Sequence, residues 1–182
     1  MKGIVFNLLE EVVRHHYGDD TWDDLLDTAG VHGAYTSLGS YADEEVFKLV
    51  MAAASALKQP PEAILRWFGR QAMPRLAERY PMFFSGHGDS RSFLLTLNHI
   101  IHPEVRKLYP GATTPVFDFD TSDDRILRIG YRSERRLCAL AEGFIIGSAD
   151  FYGEQVGLSQ SQCMHRGDSK CLFQIEFTAP SR

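Results

Sequence analysis

Two histidines lie three residues apart in a mostly apolar stretch, HIIHPEVRKLYP, in which His99 and His102 flank two isoleucines. On an α-helix such side chains point about 60° apart, so one histidine can face the core while the other faces solvent. A histidine in this setting is more often a hydrogen-bonded core residue than a metal ligand. The spacing alone therefore leaves open whether either imidazole binds a metal.

A second polar pattern occupies residues 131–135, which read YRSER. If Tyr131 ends a strand, the side chains of Tyr131, Ser133 and Arg135 project from the same side of the chain. Hydroxyl groups and a guanidinium fork all donate hydrogen bonds to carboxylates. Haem carries propionates and takes an axial imidazole, so this pattern together with a distant histidine matches a haem site. The alternative for YRSER by itself is a solvated strand end.

Cysteines and a histidine cluster near the end of the sequence, in CMHRGDSKC. Cys163, His165 and Cys171 could wrap a metal ion in this loop, and Cys138 on the preceding helix could complete the set. Three thiolates and one imidazole are a ligand set of structural Zn²⁺ sites. The spacing is not that of a common zinc finger. The alternative is a group of buried or reactive thiols, one pair of which forms a disulfide when oxidised.

The elements that must position these groups follow from the hydrophobic pattern. Helical periodicity covers most of the first two-thirds of the chain, and strand-like alternation begins after Pro110. Pro74 lies inside a helical segment and predicts a kink or a break there. Gly143 and Gly147 are spaced for close packing of the last helix. The predicted helices span a first segment up to about residue 18, then 21–28, 42–57, 61–80, 92–109 and 135–152, and the predicted strands span 116–120, 125–131 and 172–177.

This order of elements predicts an α+β fold, in which helices come first and an antiparallel sheet lies toward the C-terminus. With 182 residues, 44% of them apolar, the chain is long enough for one well-buried core and one domain. A net charge of −5 does not fit a basic nucleic-acid binder, and no apolar run is long enough to predict membrane insertion. No signal-peptide pattern is present, and three cysteines argue against a disulfide framework, so we expect a cytoplasmic protein.

Several of these features occur together, and in order, in one known family. The chain has the opening MKG with an apolar first helix, then HPEVRKLYP, a proline just before the hairpin, YxSxR, and a glycine-rich helix directly after it. In this combination and spacing the sequence resembles a haem–nitric oxide/oxygen binding (H-NOX) domain, the sensor fold shared with the haem domain of soluble guanylate cyclase. The resemblance covers essentially the whole chain and implies haem b as the cofactor.

The resemblance also implies roles for residues on the proximal side of the haem. His102 aligns with the proximal ligand of the haem iron, and His99 has no counterpart role. Pro115 matches the proline that presses on the porphyrin and helps to distort it. The propionate-binding triad of the family aligns with Tyr131, Ser133 and Arg135.

The family fold implies a division of the single domain 1–182 into two parts. A helical subdomain, about residues 1–60, is expected over the distal side of the haem. The haem-ligating and sheet part, about residues 61–182, is expected to hold the antiparallel sheet and the helices that carry the proximal ligand.

The distal side of the haem decides which gas binds. Family members that hold oxygen stably have a tyrosine five residues after the arginine of YxSxR, and here that position is Leu140. Bound O₂ takes up partial negative charge and needs a hydrogen-bond donor, worth about 1–3 kcal/mol, whereas NO binds ferrous haem strongly without one. We therefore expect an NO sensor that also binds CO. The other positions expected to line the distal pocket are apolar: Val5, Leu9, Met73, Leu76 and Phe144.

The resemblance implies a mechanism of strain release. NO weakens the bond opposite to it, so the link between iron and His102 breaks and the helix that carries His102 can shift. The chain has no room for an output domain, so we expect the signal to pass to a separate protein. In bacterial family members this partner is typically a histidine kinase or a cyclic-di-GMP enzyme, and the sequence does not decide between them.

The cysteine cluster is similar to one found in a subset of H-NOX proteins, which implies bound Zn²⁺ and a second, redox input. Two other functions stay open: a haem module that binds or carries gas without signalling, and a zinc or thiol redox switch. The presence of both His102 and YxSxR argues against a redox switch that no longer binds haem. Catalysis is not expected, because the sequence shows no nucleophile elbow, phosphate loop or paired carboxylate site.

Overall fold

The computed structural model describes residues 1–178 and has the predicted α+β architecture. Within these residues, no helix combines the length and the apolar character that a bilayer crossing requires. The helices of the described chain are α1 (Gly3–Tyr17), α2 (Asp19–Ala29), α3 (Asp43–Leu57), α4 (Pro61–Arg79), α5 (Ser90–Leu95), α6 (His102–Leu108) and α7 (Cys138–Phe151). The strands are β1 (Val116–Asp120), β2 (Ile126–Arg132), β3 (Val156–Gln162) and β4 (Cys171–Phe177), and they form one antiparallel sheet in the order β1-β2-β4-β3.

Helices α1 to α4 enclose the first hydrophobic core. Each helix repeats apolar residues at helical spacing, so that one face can be buried against its neighbours. The largest buried side chains include Phe6, Trp22, Leu49 and Phe68, one from each helix. Acidic residues in the first turn of α3 and Pro61 at the first position of α4 suit helix starts. The predicted end of α1 and the predicted bounds of α2, α3 and α4 are confirmed to within two residues.

Helices α4 and α7 pack with their backbones in close contact. A Cβ atom added at Gly69 of α4 would lie 2.5 Å from the carbonyl oxygen of Leu140 on α7. A Cβ atom added at Gly143 of α7 would lie 2.2 Å from the carbonyl oxygen of Arg66 on α4. Any side chain at these positions would overlap the facing backbone, so glycine is required. The prediction that the glycines of the last helix allow close packing is confirmed.

Helix α4 continues through Pro74, so the chain does not break there. Proline has no N–H group, and the carbonyl of Arg70, one turn earlier, therefore loses its helical donor. This carbonyl faces α7, where a Cβ atom added at Gly147 would lie 2.7 Å from the Arg70 oxygen. The close packing of α7 covers the freed carbonyl and holds both halves of α4 in one helix.

The predicted long helix over residues 92–109 is wrong, because the structure divides it into α5, a π-helical turn (Leu97–Ile101) and α6. We call this part of the chain, residues 90–108, the proximal segment. The carbonyl oxygen of Thr96 accepts hydrogen bonds from three successive N–H groups, those of His99 (3.2 Å), Ile100 (2.8 Å) and Ile101 (3.2 Å). This sharing accommodates one extra residue in the turn, which the periodicity of a long window does not reveal.

The last helix begins at Cys138, three residues later than the predicted start at residue 135. Arg136 has a φ of 51°, in the left-handed region, and its N–H group donates to the carbonyl oxygen of Ser133 at 3.1 Å. A left-handed residue cannot continue a right-handed helix. A tight turn over residues 133–136 therefore separates β2 from α7.

The sheet supplies the second hydrophobic core together with α5 and α7. Strands β2 and β4 occupy its centre, and their inward side chains Leu127, Ile129, Phe173 and Ile175 are fully buried. Tyr131 near the end of β2 pairs with Phe117 of β1 on one side and with Cys171 of β4 on the other. The predicted hairpin and final strand are confirmed, and they place Tyr131 between the segment after Pro115 and the cysteines.

Candidate functional site

His102 is the first residue of α6 and directly follows the π-helical turn. Its side chain is half-buried, and its ring stacks on Phe117 with 5.5 Å between the ring centroids. Burial and the positive charge of Arg106 lower the pKa of His102 to about 4, while a hydrogen bond with the Pro115 backbone acts in the opposite direction. The imidazole is therefore neutral at neutral pH, which is the form that binds a metal.

The structure places the two histidines of HIIH in different surroundings. His99 lies in the π-helical turn with its side chain exposed to solvent, whereas His102 faces Phe117. Arg106 of α6 donates a hydrogen bond to Thr114 Oγ1 at 2.7 Å and so ties α6 to the chain that leads into β1. As a result, His102 and Pro115 lie in one site.

Tyr131 is 2% exposed near the end of β2. Burial raises the pKa of its hydroxyl to about 12, although hydrogen bonds with Ser133 and the Leu137 backbone lower it in part. The hydroxyl therefore stays protonated at neutral pH and can donate a hydrogen bond. The Tyr131 ring lies 5.7 Å from that of Phe117, between centroids, so Phe117 contacts both Tyr131 and His102.

The guanidinium of Arg135 is oriented by residues from distant parts of the chain. Its Nε donates to Asp43 Oδ2 at 2.8 Å, and its Nη1 donates to the carbonyl oxygen of Thr113 at 3.0 Å. Burial raises the pKa of Asp43, but hydrogen bonds from the Met1 amino group and from Arg135 lower it by more. The net pKa is therefore lowered, and this carboxyl is charged. Within residues 1–178, Nη2 of Arg135 has no hydrogen-bond partner, which leaves it able to bind a carboxylate.

The side chains of YxSxR do not all project from one strand, contrary to the sequence-based prediction. Tyr131 belongs to β2, whereas Ser133 and Arg135 lie in the turn that follows it. The hydroxyl of Ser133 accepts a hydrogen bond from the backbone N–H of Arg135 at 3.3 Å, which closes the turn.

The predicted distal residues come from α1, α4 and α7, and α4 packs against both other helices. Leu9 and Leu140 are buried in the first core, and Met73 is buried in the second. Leu76 and Phe144 pack against both cores. Val5 packs against the first core, so of the six predicted distal residues only Leu76 and Phe144 contact both cores. All six side chains are apolar.

The structure brings the three cysteines together from α7, β4 and the turn after β3. Their Sγ atoms all lie within 4.8 Å of one another, and the Sγ atoms of Cys138 and Cys163 are 3.9 Å apart. Burial raises the pKa of Cys138 to about 12. Burial also raises the pKa of Cys163, but hydrogen bonds from the His165 backbone and the other thiols lower it by more. The cluster of Cys138, Cys163 and Cys171 is compatible with a metal site.

His165 is near the thiol cluster in sequence but is not part of it in this structure. Its Nε2 lies 2.7 Å from the carbonyl oxygen of Arg136. A Zn²⁺ site needs four ligands, so His165 would have to turn away from Arg136 to supply the fourth. The structure thus brings together three of the four predicted zinc ligands.

Three further residues of the site are absent from the sequence-based prediction: Asp43, Asn98 and Phe117. Asp43 reads as an ordinary acidic residue in the first turn of a helix, and Phe117 as an inward residue of a strand. The sequence gives a signal only for Asn98, which is a polar residue inside the apolar run LNHII.

Comparisons with known proteins agree with this fold. The model of the family described as Haem-NO-binding matches residues 2–160. A crystal structure of an H-NOX protein from Shewanella oneidensis in the Fe(II)NO ligation state is 32% identical, with a TM-score of 0.92 over 98% of this chain and 100% of that one. An NMR structure of an H-NOX domain from the same organism in the Fe(II)CO ligation state is also 32% identical, with a TM-score of 0.89 over 98% of this chain and 99% of that one.

An Fe(II) unliganded H-NOX protein from K. algicida shares the fold alone, at 23% identity and a TM-score of 0.88, over 100% of this chain and 99% of that one. The family match and the Shewanella structures cover nearly all of the sequence. The chain belongs to the haem–NO-binding, or H-NOX, family of haem gas-binding sensors.

Proposed function

We propose that this protein is a haem-based NO sensor that binds haem b through His102. The observation that carries the proposal is the neutral, half-buried imidazole of His102 beside Pro115 and Phe117, in a chain of the H-NOX family. The donor chemistry suits haem, because a neutral imidazole can ligate iron and the remaining groups can bind propionates. These groups are two hydroxyls and a guanidinium, those of Tyr131, Ser133 and Arg135.

The ligand preference follows from the distal side chains. When bound, haem would supply a ferrous iron to which the gas attaches. The six distal residues donate no hydrogen bond, so bound O₂ would lack the stabilisation of about 1–3 kcal/mol that a charge-assisted donor provides. NO does not depend on such a donor, and CO is uncharged. The related Shewanella proteins, solved in their NO and CO states, support both gases as ligands.

The signal would leave through the proximal segment. We propose that His102 would hold the iron when haem is bound and would leave it when NO binds, which would free α6 to move relative to Pro115 and β1. In the haem-free chain, burial and the charge of Arg106 lower the pKa of His102, so its imidazole is neutral and able to take up a metal. The released and bound positions of His102 are then the two states that the gas selects.

The first test is spectroscopic and uses the protein purified without oxygen. The absorption spectrum of the reduced protein is recorded alone, with NO, and in air. We expect a spectrum of ferrous haem with one histidine ligand, a blue shift of the main band with NO as the histidine leaves, and no oxygen complex in air. A stable oxygen complex would contradict the NO assignment, and the absence of haem after expression with added haem precursor would contradict the proposal as a whole.

The output is proposed to be regulation of a separate cytoplasmic signalling protein, a histidine kinase or a cyclic-di-GMP enzyme, with no catalysis by this chain. The partner is tested by adding His102→Gly protein, supplied with imidazole, to the partner enzyme. This variant should mimic the effect of NO on the partner's activity, because its proximal segment is never tied to iron. His99→Ala protein should behave as wild type. If wild-type protein bound haem and NO but altered neither enzyme, a gas-binding or carrier role would replace signalling.

The cysteine cluster is proposed to bind Zn²⁺, with His165 as the fourth ligand, and to sense thiol oxidation. Support comes from the three sulfur atoms within 4.8 Å of one another. Elemental analysis of protein purified under reducing conditions should give about one zinc per chain, and Cys163→Ser should reduce this strongly. If the protein contained almost no zinc, the proposed metal site would be overturned and only the thiol-oxidation role of the cysteines would remain.

A further inference from the structure

The π-helical turn brings a polar side chain to the edge of the sheet. Asn98 lies in this turn, four residues before His102. Its Nδ2 donates to the carbonyl oxygen of Phe117 at 2.6 Å, and its Oδ1 accepts from the N–H of the same residue at 3.4 Å. One carboxamide thus pairs with both backbone groups of one strand residue.

This pairing replaces a missing strand neighbour. Strand β1 is the edge of the sheet, with β2 on its other side. An edge strand leaves one row of backbone N–H and C=O groups without partners, and a side-chain amide can pair with them as a peptide group would. Asn98 therefore fixes the position of the π-helical turn along β1.

The fixed point is close to the histidine. The Phe117 residue that pairs with Asn98 also stacks its ring on His102, at 5.5 Å between centroids. Neither the π-helical turn nor α6 contains a fully buried residue, and Leu97 and Ile101 are only partly buried against the second core, so hydrophobic burial holds this part less firmly than it holds α5. Directional contacts such as the Asn98 pair must therefore contribute more to holding the π-helical turn and α6 in place.

We propose that Asn98 is a positioning residue for the proximal histidine: its carboxamide holds the π-helical turn on β1 and thereby sets the place of His102 relative to the haem iron. This inference rests on the proposed function, because it takes His102 to be the iron ligand. When His102 is released, the Asn98 pair resists movement of the segment and keeps the imidazole near the iron.

The test compares Asn98→Ala with wild type and with His99→Ala, a neighbouring exposed position that serves as the matched control. Two readouts of the ferrous holoprotein are used: the iron–histidine stretching frequency, from resonance Raman spectra, and the rate of His102 release after NO addition, from stopped-flow absorption. Asn98→Ala should shift or broaden the stretching band and accelerate release about five-fold, the effect expected when one net hydrogen bond is lost. His99→Ala should match wild type in both.

The outcomes separate this inference from the proposed function. If wild type shows a histidine-ligated haem but Asn98→Ala matches it in both readouts, the inference about Asn98 is overturned while the sensor stands. A lower unfolding temperature with both readouts unchanged would mean that Asn98 is structural only, and it would overturn the inference as well. A wild-type protein without histidine ligation would overturn both.

A second variant covers the case in which Asn98→Ala does not fold. Asn98→Asp has nearly the same size and keeps the oxygen that accepts from the Phe117 N–H, but it loses the Nδ2 donor and faces the Phe117 carbonyl with a carboxylate. It should change both readouts in the same direction as Asn98→Ala. Unchanged readouts in Asn98→Asp would overturn the proposal.

Discussion

The α4–α7 helix pair and the proximal segment lie on the same chain but are held by different forces. Helices α4 and α7 meet at glycines whose backbones approach the facing carbonyl groups closely, and most of α7 is buried. The proximal segment is interrupted by a π-helical turn, and Ile100 and Leu108 in it are exposed. Its first part, α5, is anchored in the second core by Phe93 and Leu94, whereas the π-helical turn and α6 contain no fully buried residue and depend more on individual hydrogen bonds.

The difference indicates which part of the molecule can move. Close packing spreads its free energy over many contacts, so displacing one helix of the pair would lose them together. Hydrogen bonds contribute about 0.5–1.5 kcal/mol each and can be exchanged one at a time. The α4–α7 pair therefore serves as a fixed frame, and the π-helical turn with α6 is the part suited to move if His102 is released as proposed.

The largest expected effect breaks the fixed frame. In Gly143→Leu, even the first side-chain carbon would overlap the carbonyl group of Arg66, so α4 and α7 would have to separate. We expect the free energy of unfolding to fall by more than about 3 kcal/mol, or the protein not to fold, as measured by urea denaturation. Gly157→Ala is the matched control, because its new Cβ would lie at an ordinary 3.7 Å from Glu176. Equal stability of the two variants would contradict the rigid-frame interpretation.

The next effect concerns the proximal segment and should leave the frame intact. His102→Gly should lose most of its haem during purification and regain it with added imidazole, because a free imidazole can occupy the vacant ligand position. The measurement is the haem-to-protein absorbance ratio, with His99→Ala as the control at wild-type occupancy. Retention of full haem by His102→Gly without imidazole would show that another residue ligates the iron.

A smaller effect is expected at the ion pair that joins the two parts of the chain. Arg135→Ala removes a charged donor and should raise the rate of haem transfer to an acceptor protein about ten-fold, as expected for one charge-assisted hydrogen bond. Asp43→Asn keeps an acceptor for Arg135 Nε but removes the charge, so its effect should be about two- to three-fold. A larger effect from Asp43→Asn than from Arg135→Ala would mean that Asp43 acts other than through the guanidinium.

The smallest expected effect is a pH dependence of the haem-free protein. The pKa of His102 is about 4 in the folded state, against about 6.5 when unfolded. The unfolded state binds the proton more readily, so this contribution to stability is present above about pH 6.5 and is lost as the pH falls toward 4. Between pH 7 and pH 5.5, wild type should lose about 1 kcal/mol more stability than His102→Gln, as measured by urea unfolding. Equal losses would mean that His102 is not held in its neutral form by burial.

Much of the architecture could be predicted because it depends on local patterns. The apolar periodicity of α1 to α4, the proline at the start of α4 and the alternation around the β1–β2 turn each act over a few residues. The extra residue of the π-helical turn could not be predicted in this way. In the structure, Asn98 of this turn pairs with Phe117 of β1, nineteen residues further along the chain, and a local window does not contain that contact.

In the candidate site, too, local sequence predicts some features and long-range contacts decide the others. The residue types in HIIH, YRSER and the cysteine loop indicate imidazole, carboxylate-binding and thiol chemistry, because those properties belong to the side chains themselves. The lowered pKa of His102 is decided by burial and by the charge of Arg106, and only the structure shows that His102 packs on Phe117 while His99 is exposed. Likewise, the sequence shows four possible zinc ligands. Packing brings the three cysteines together, whereas His165 pairs with the Arg136 carbonyl.

The sequence by itself determined the α+β class, most of the helices and strands, the role of the glycines of α7 and the chemistry of the candidate haem-binding side chains, since these follow from local pattern and intrinsic chemistry. Only the tertiary structure decided the pairing of Asp43 with Arg135, the hold of Asn98 on β1 and the low pKa of His102. Each of these depends on groups that lie far apart in sequence, and their interaction energy exists only when folding brings them together and removes water from between them.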